Sequence, residues 1–451
     1  MQRPLIAVLM ASAFLTLSVP GARAADLIQV YQQALANDAT YASARSSLDA
    51  GRERITQGRA GLLPTVSASG SNTRNTGDFS PFNEGLLGTT PSGLPGIITR
   101  QNRDNHTNSY NVTLSQPLFD WTAWQTYQQS KLAQAVAEST FAQARQDLIT
   151  RVAQAYFDVL TAQDNLTSTQ AQKTATTEQL ASAKRNFEVG TQTITDTHEA
   201  QAAYDLVVAQ EFAAITDLDN KRTALQVITG KPTGELAPLR AGVTIASPEP
   251  AAIEPWVNSA EGQNFSVIAA QLSLEIAKRD ISRNRGGHMP TLNLAAGTSH
   301  SSTTASGTAK NNAIGVTWNV PIFNGFAVTS RVRESIALED KSRNDLEATK
   351  RLAAQNARVA FLSMTSGLAQ VKALEAAEVS SKSSLDSNKL GYQVGVRINI
   401  DVLNAQRQLY STQRDLSKAR YDTVMNGLRL KSAAGTLKEE DLTPINALLQ
   451  H

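Results

Sequence analysis

The spacing of apolar residues divides the chain into two kinds of segment. Where apolar residues recur every three or four positions, the pattern predicts amphipathic helices; where they alternate one by one, it predicts strands with one apolar face. Asp26–Ala60 has the first pattern, with Leu27, Val30, Tyr31, Ala34 and Leu35 in helical register. Thr65–Thr73 reads as an extended run of small residues and Asn75–His106 as a long polar loop. Thr107–Ser115 alternates, with Tyr110, Val112 and Leu114 on one face and Ser109, Asn111, Thr113 and Ser115 on the other. From Trp121 to Val189 there is neither glycine nor proline. One helix over that run would be roughly 100 Å long, and Leu148, Val152, Ala155, Val159, Ala162 and Leu166 keep the steps of four and three of a coiled-coil seam. A second helix is expected from about Asp196 to Thr229, followed by an irregular crossover marked by Pro232, Pro238, Pro248, Pro250 and Pro255.

The order then restarts. Phe265–Arg285 predicts a helix, Thr291–Thr298 an extended segment, Ser299–Asn312 a Ser/Thr/Gly loop and Ala313–Val320 a strand. Pro321-Ile322-Phe323-Asn324 answers Pro117-Leu118-Phe119-Asp120. The long runs Gly325–Lys389 and Val402–Leu430 follow, separated by Gly391–Asp401, GYQVGVRINID. That stretch repeats in kind at Phe187–Asp196, FEVGTQTITD. Glycine between helical runs reads as a left-handed helix stop, which puts Gly190 and Gly395 at two hairpin turns. Asp401 is expected to cap or flank the following helix. Each half is thus helix, strand, strand, long helix, turn, helix. The expected organisation is a leader over 1–24 and tandem structural repeats over 25–245 and 246–451.

Composition and candidate chemistry change this picture in a few places. Arg3, the apolar run Leu5–Val19 and Ala22-Arg23-Ala24 form a secretion signal, with the mature chain expected from Ala25. The chain has no cysteine, which excludes disulfides, thiolate metal sites and a lipidated N-terminal cysteine. The formal charge of +2 falls to about zero without the leader and gives no reason to expect a nucleic-acid partner. No segment after the leader approaches 18 consecutive apolar residues, so no transmembrane helix is expected. His106, His198, His288, His300 and His451 lack ligand spacing, and no nucleotide-binding or hydrolytic motif occurs; neither cofactor nor enzymatic activity is expected.

Four strands cannot cross a bilayer alone, because their free edges would leave backbone groups unpaired in lipid. Bacterial barrels begin at about eight strands, so several chains would have to pool theirs; three would give twelve. The alternative is a periplasmic coiled-coil adaptor or structural protein that never enters lipid.

The paired V-G-x5-D turns, the duplicated P-[LI]-F strand exits and the ending Leu428–Leu437, LRLKSAAGTL, resemble the TolC family of outer-membrane channel-tunnel proteins over essentially the whole mature chain. The resemblance implies an α+β membrane protein: a homotrimer with a twelve-stranded outer-membrane barrel, continued by a periplasmic α-helical barrel. It implies a passive exit duct for multidrug efflux or type I secretion. The partners implied are a periplasmic adaptor and an inner-membrane ABC or proton-driven transporter. By the same resemblance Tyr392 and Arg397 are gate residues and Thr195 and Asp196 their partners on the neighbouring coil. Asp401 matches the first of two acids ringing the narrowest point, and Asn404 stands where the second would be, so cation selectivity is expected to be weaker than with two acids.

Overall fold

The computed structural model describes residues 24–79, 101–240, 242–304 and 306–450. The predicted leader over residues 1–23 and the middle of the Asn75–His106 segment lie outside them. The described chain forms two compact units, each drawing on both halves of the sequence: 1–43, 144–264 and 353–451 in one, 44–143 and 265–352 in the other.

The strand-bearing unit contains a four-stranded antiparallel sheet in the order β1 (Thr65–Phe79), β2 (Gln101–Phe119), β3 (Thr291–Thr303) and β4 (Gly307–Asn319). These strands are longer than expected. Residues 75–79 and 101–106 belong to β1 and β2, and most of Ser299–Asn312, read as a loop, is β3 and β4. Their polar composition does not break the ladder, because each residue finds a register partner: Arg74 opposite His106, Ser301 opposite Ala309. Side chains add to the pairing, with Ser67 on Thr113 and Ser71 on Ser109, both at 2.8 Å, and Arg74 gripping Asp104 at 2.9 and 2.6 Å.

Register gives the sheet two unlike faces. Val66, Leu114, Ala296 and Ile314 stand in one cross-strand row, and Leu292 with Trp318 and Leu294 with Val316 extend it on the same side. The opposite side presents Ser67, Thr113, Gly297 and Ala313, then Ser69, Asn111, Ser299 and Asn311. The apolar side is bare: Ile314 is 79% exposed and Trp318 74%. Among the described residues, neither sheet edge, β1 nor β4, has a neighbouring strand.

The expected helix over Asp26–Ala60 is broken. α1 (Leu27–Asn37) ends at Asp38, whose backbone is extended, and α2 (Ala39–Ala60) starts beyond it. The buried Asp38 carboxylate accepts from the Tyr41 amide at 2.6 Å and from Arg151 at 2.9 Å, so it starts α2 and anchors it at once. α3 (Trp121–Glu188) is one unbroken helix of 68 residues, followed by α4 (Ile194–Thr229). The Pro-marked crossover ends in a short helix the sequence reading did not anticipate, α5 (Glu254–Gln263), and α6 (Phe265–Arg285) follows it. The second long hairpin is α7 (Ala327–Gln393) and α8 (Asn399–Ala433), and α9 (Leu442–Asn446) is the last helix described.

The predicted seam is real. Leu148, Val152, Val159 and Ala162 are buried in the main core, with Ala155 and Leu166 packed against it, and Phe157 meets Tyr421 of α8. A polar knot closes this core: Glu439 accepts from Tyr31 at 2.8 Å and from Arg145 at 2.8 and 3.0 Å. Burial alone would raise the Glu439 pKa, but these donors outweigh it and hold the carboxyl below its ordinary value.

Candidate functional site: the two hairpin turns

The turn joining α3 to α4 and the turn joining α7 to α8 are built alike. In each, a glycine with φ near +77° stops the helix (Gly190 at 77°, Gly395 at 76°), a conformation that carries no steric cost without a Cβ. The Thr191 amide reaches back to the Asn186 carbonyl at 2.9 Å, and the Val396 amide to Gly391 at 2.9 Å. These long backward bonds satisfy helix carbonyls that would otherwise end free.

The restarts differ. α4 opens with a capping box in which the Thr193 hydroxyl and Asp196 carboxylate serve each other's backbone. The Asp196 carboxylate accepts from the Thr193 amide at 3.0 Å and its hydroxyl at 2.8 Å. α8 starts from Ile398 with no side-chain cap. Asp401 therefore flanks the helix, as one of the two expected roles had it, and does not cap it. It sits in the first turn, where a carboxylate favours the dipole's positive end, with Arg397 at 3.7 Å. That pair is largely solvated and worth about 0–1 kcal/mol.

What ties the two hairpins together is a set of neutral hydrogen bonds. The Tyr392 hydroxyl accepts from Gln192 of the first turn and from Asn186 at 3.5 Å, while its ring packs on Leu385, Val402, Ala405 and Leu409. One turn further on, fully buried Asn399 accepts from Gln179 of α3 at 2.6 Å and donates to the Asp196 carbonyl at 3.1 Å. One amide thus joins α3, α4 and α8. Beneath it Leu180, Ala183, Ala200 and Leu403 form an apolar plug. Further along, Tyr410 donates to the Ala171 carbonyl at 3.3 Å and Arg414 to Gln172 at 3.0 Å.

Of the expected gate residues, the chain brings Tyr392 against the first turn, but through Gln192 and Asn186 and not through Thr195 or the Asp196 carboxylate. Thr195 is exposed in the first turn of α4, and Arg397, in the turn, pairs with Asp401 of its own hairpin. Asn404 is exposed, one turn beyond the half-exposed Asp401, while Val402, Leu403 and Ala405 turn inward. Gln179, Gln192 and Asn399 were missed. For Asn399 a signal existed, because it falls on the stripe Asn399, Val402, Gln406, Leu409 that α8 buries; a polar residue on such a stripe needs a partner. Gln192 carries no such mark.

Residues 30–231 and 256–436 match the family model described as outer membrane efflux protein. Outer membrane protein TolC of Vibrio cholerae is 34% identical over 435 residues, covering 95% of this chain and 94% of that protein. The alkaline protease secretion protein AprF of Pseudomonas aeruginosa is 31% identical over 441 residues, covering 96% and 89%. The crystal structure of the outer membrane protein VceC from Vibrio cholerae aligns with a TM-score of 0.75 at 18% identity, over 91% of this chain and 96% of that one, which places both in one fold.

Proposed function

The chain belongs to the outer membrane efflux protein family, the TolC family, and we propose that it is a trimeric exit duct held shut where its two helical hairpins turn. It is an outer-membrane channel protein and no enzyme; transport through it is passive and is powered by an adaptor and an inner-membrane transporter. The relatives named for protease secretion extend the cargo from small molecules to polypeptides. The observation that carries the reading is the sheet: one bare apolar face, one polar face and two open edges. Such a sheet is stable in lipid only when neighbours cover β1 and β4, and three chains of four strands close a ring whose polar face lines the lumen.

The gate is our reading of the turns. Separating the α7–α8 hairpin from α3–α4 would break the Tyr392–Gln192 and Asn399 bonds together and expose the Leu180–Leu403 plug. In the trimer, Arg397 and the neighbouring chain's Thr195 and Asp196 would add a second latch, since Asp196 uses only one carboxylate oxygen in its own cap. Asp401 would then form a three-fold acidic ring beside the amides of Asn404. The repeated order of elements supports reading the halves as a tandem duplication, which would give each repeat one strand pair and one hairpin.

The test is a deletion strain complemented with this chain, scored for carbonate-resistant outer-membrane fractionation, drug sensitivity and missing secreted proteins. Membrane-resistant trimers that restore either export function are expected. Release of the chain into the soluble fraction would overturn the duct in favour of a periplasmic adaptor.

A further inference from the structure

The apolar side of the sheet changes character toward the hairpin ends of the strands, the ends remote from the helices. Along β4 the residues on that side run Trp318, Val316, Ile314, Asn312, Lys310. Lys310 stands opposite His300, and His300 opposite Tyr110. The Tyr110 and His300 rings stack with centroids 4.9 Å apart. On the far side of Tyr110 its register partner is Gly70, which has no side chain to cover the ring. Trp318 and Lys310 are eight residues apart. At ~3.3 Å per residue and a tilt of ~40°, that is roughly 20 Å along the membrane normal, against an apolar band of ~25 Å. Trp318, followed by exposed Phe323 and Phe326, therefore marks the periplasmic boundary, and the Tyr110–His300–Lys310 row marks the outer one.

We propose that this row docks the phosphate-bearing headgroup of an outer-leaflet lipid, an inference that rests on the barrel reading. Lys310 supplies a cation with no ion pair among the described residues, and His300 supplies an N–H beside it. Tyr110 supplies an amphipathic ring at headgroup depth. Among the described side chains, the acid on this face nearest the row is Asp104, and Arg74 already neutralises it with two hydrogen bonds. Among the described side chains the uncompensated charge at the row is therefore that of Lys310. A free phosphate would use only the row. A lipid also uses the apolar rows Val112, Leu114, Ile314 and Val316 directly beneath, where its chains lie. A lysine on an edge strand also discourages wrong strand pairing; that role predicts failed trimers on its removal and no dependence on lipid phosphate.

Native mass spectrometry of the purified trimer decides between them, using diphosphoryl lipid A and the same lipid stripped of phosphate. The parent trimer should retain the phosphorylated form about fivefold better, the weight of one lysine at an anionic surface. Lys310→Ala with His300→Ala should abolish the preference while leaving the trimer and its bilayer conductance intact, and Lys310→Arg should keep it. No preference in the parent, or an unchanged one in the double variant, overturns the proposal. So does loss of the trimer in Lys310→Ala that Lys310→Gln also shows. A parent chain that forms no conducting trimer would instead refute the barrel itself.

Discussion

Replacing Asn399 by alanine removes a side chain whose hydrogen bonds join three helices at the turns. It deletes the 2.6 Å bond from Gln179 and the 3.1 Å bond to the Asp196 carbonyl. Each hydrogen bond is worth about 0.5–1.5 kcal/mol net, and a buried group left unpaired costs about 1–3 kcal/mol. Gln179 is only half-buried, so water can rescue its amide. The combined loss is about 1.5–3 kcal/mol per chain. That raises the constant for separating the hairpins roughly ten- to a hundredfold. Hydrogen exchange on the assembled trimer reads this directly: peptides covering 176–204 and 392–409 should lose protection by that factor, and strand peptides should not. Asn399→Asp keeps an acceptor for Gln179 but turns a carboxylate toward a carbonyl, so it should be at least as damaging. A change below threefold in both variants would refute the reasoning, because the amide would then carry no part of the closure.

Tyr392→Phe with Arg397→Ser should raise single-channel conductance in planar bilayers and admit antibiotics normally excluded; a double variant as closed as the parent removes both residues from the gate. Asp401→Asn should weaken cation selectivity in the same recordings, and unchanged reversal potentials would take Asp401 out of the filter. Glu439, held below its ordinary pKa by Tyr31 and Arg145, stabilises the fold above about pH 4.3, the unfolded value, and loses that contribution as pH falls through its folded value. Since Glu439 is about a third exposed, the effect is about 1 kcal/mol or less. Thermal melts should show Glu439→Gln slightly less stable than the parent at pH 7, with the gap narrowing as the pH falls below the ordinary carboxylate range; a gap that stays undiminished in acid contradicts the assignment.

The helical part of the fold was legible because its signals are local. The glycine- and proline-free run to Val189, the seam from Leu148 to Leu166 and the left-handed stops at Gly190 and Gly395 each follow from a few neighbouring residues. The strand ends were not. Asn105 or Ser301 reads as loop until its partner across the sheet is known, because the ladder pairs Asn105 with Asn75 and Ser301 with Ser109, 30 and 192 positions away. Asp38 broke a helix that periodicity alone carried through, since its use as a buried cap depends on Arg151. The gate divides in the same way. Tyr392 and Arg397 were reached by resemblance, whereas the bonds joining the hairpins of one chain run through Gln192 and Asn399, whose partners lie about 200 positions off in the sequence.

Because the chain contains no cysteine, Gln192→Cys with Tyr392→Cys gives a single reactive pair across the two turns. Bridging it with a cleavable bis-maleimide in assembled trimers should block export and restore low conductance, and cleavage should release both. Undiminished export through fully bridged trimers would contradict closure at these turns.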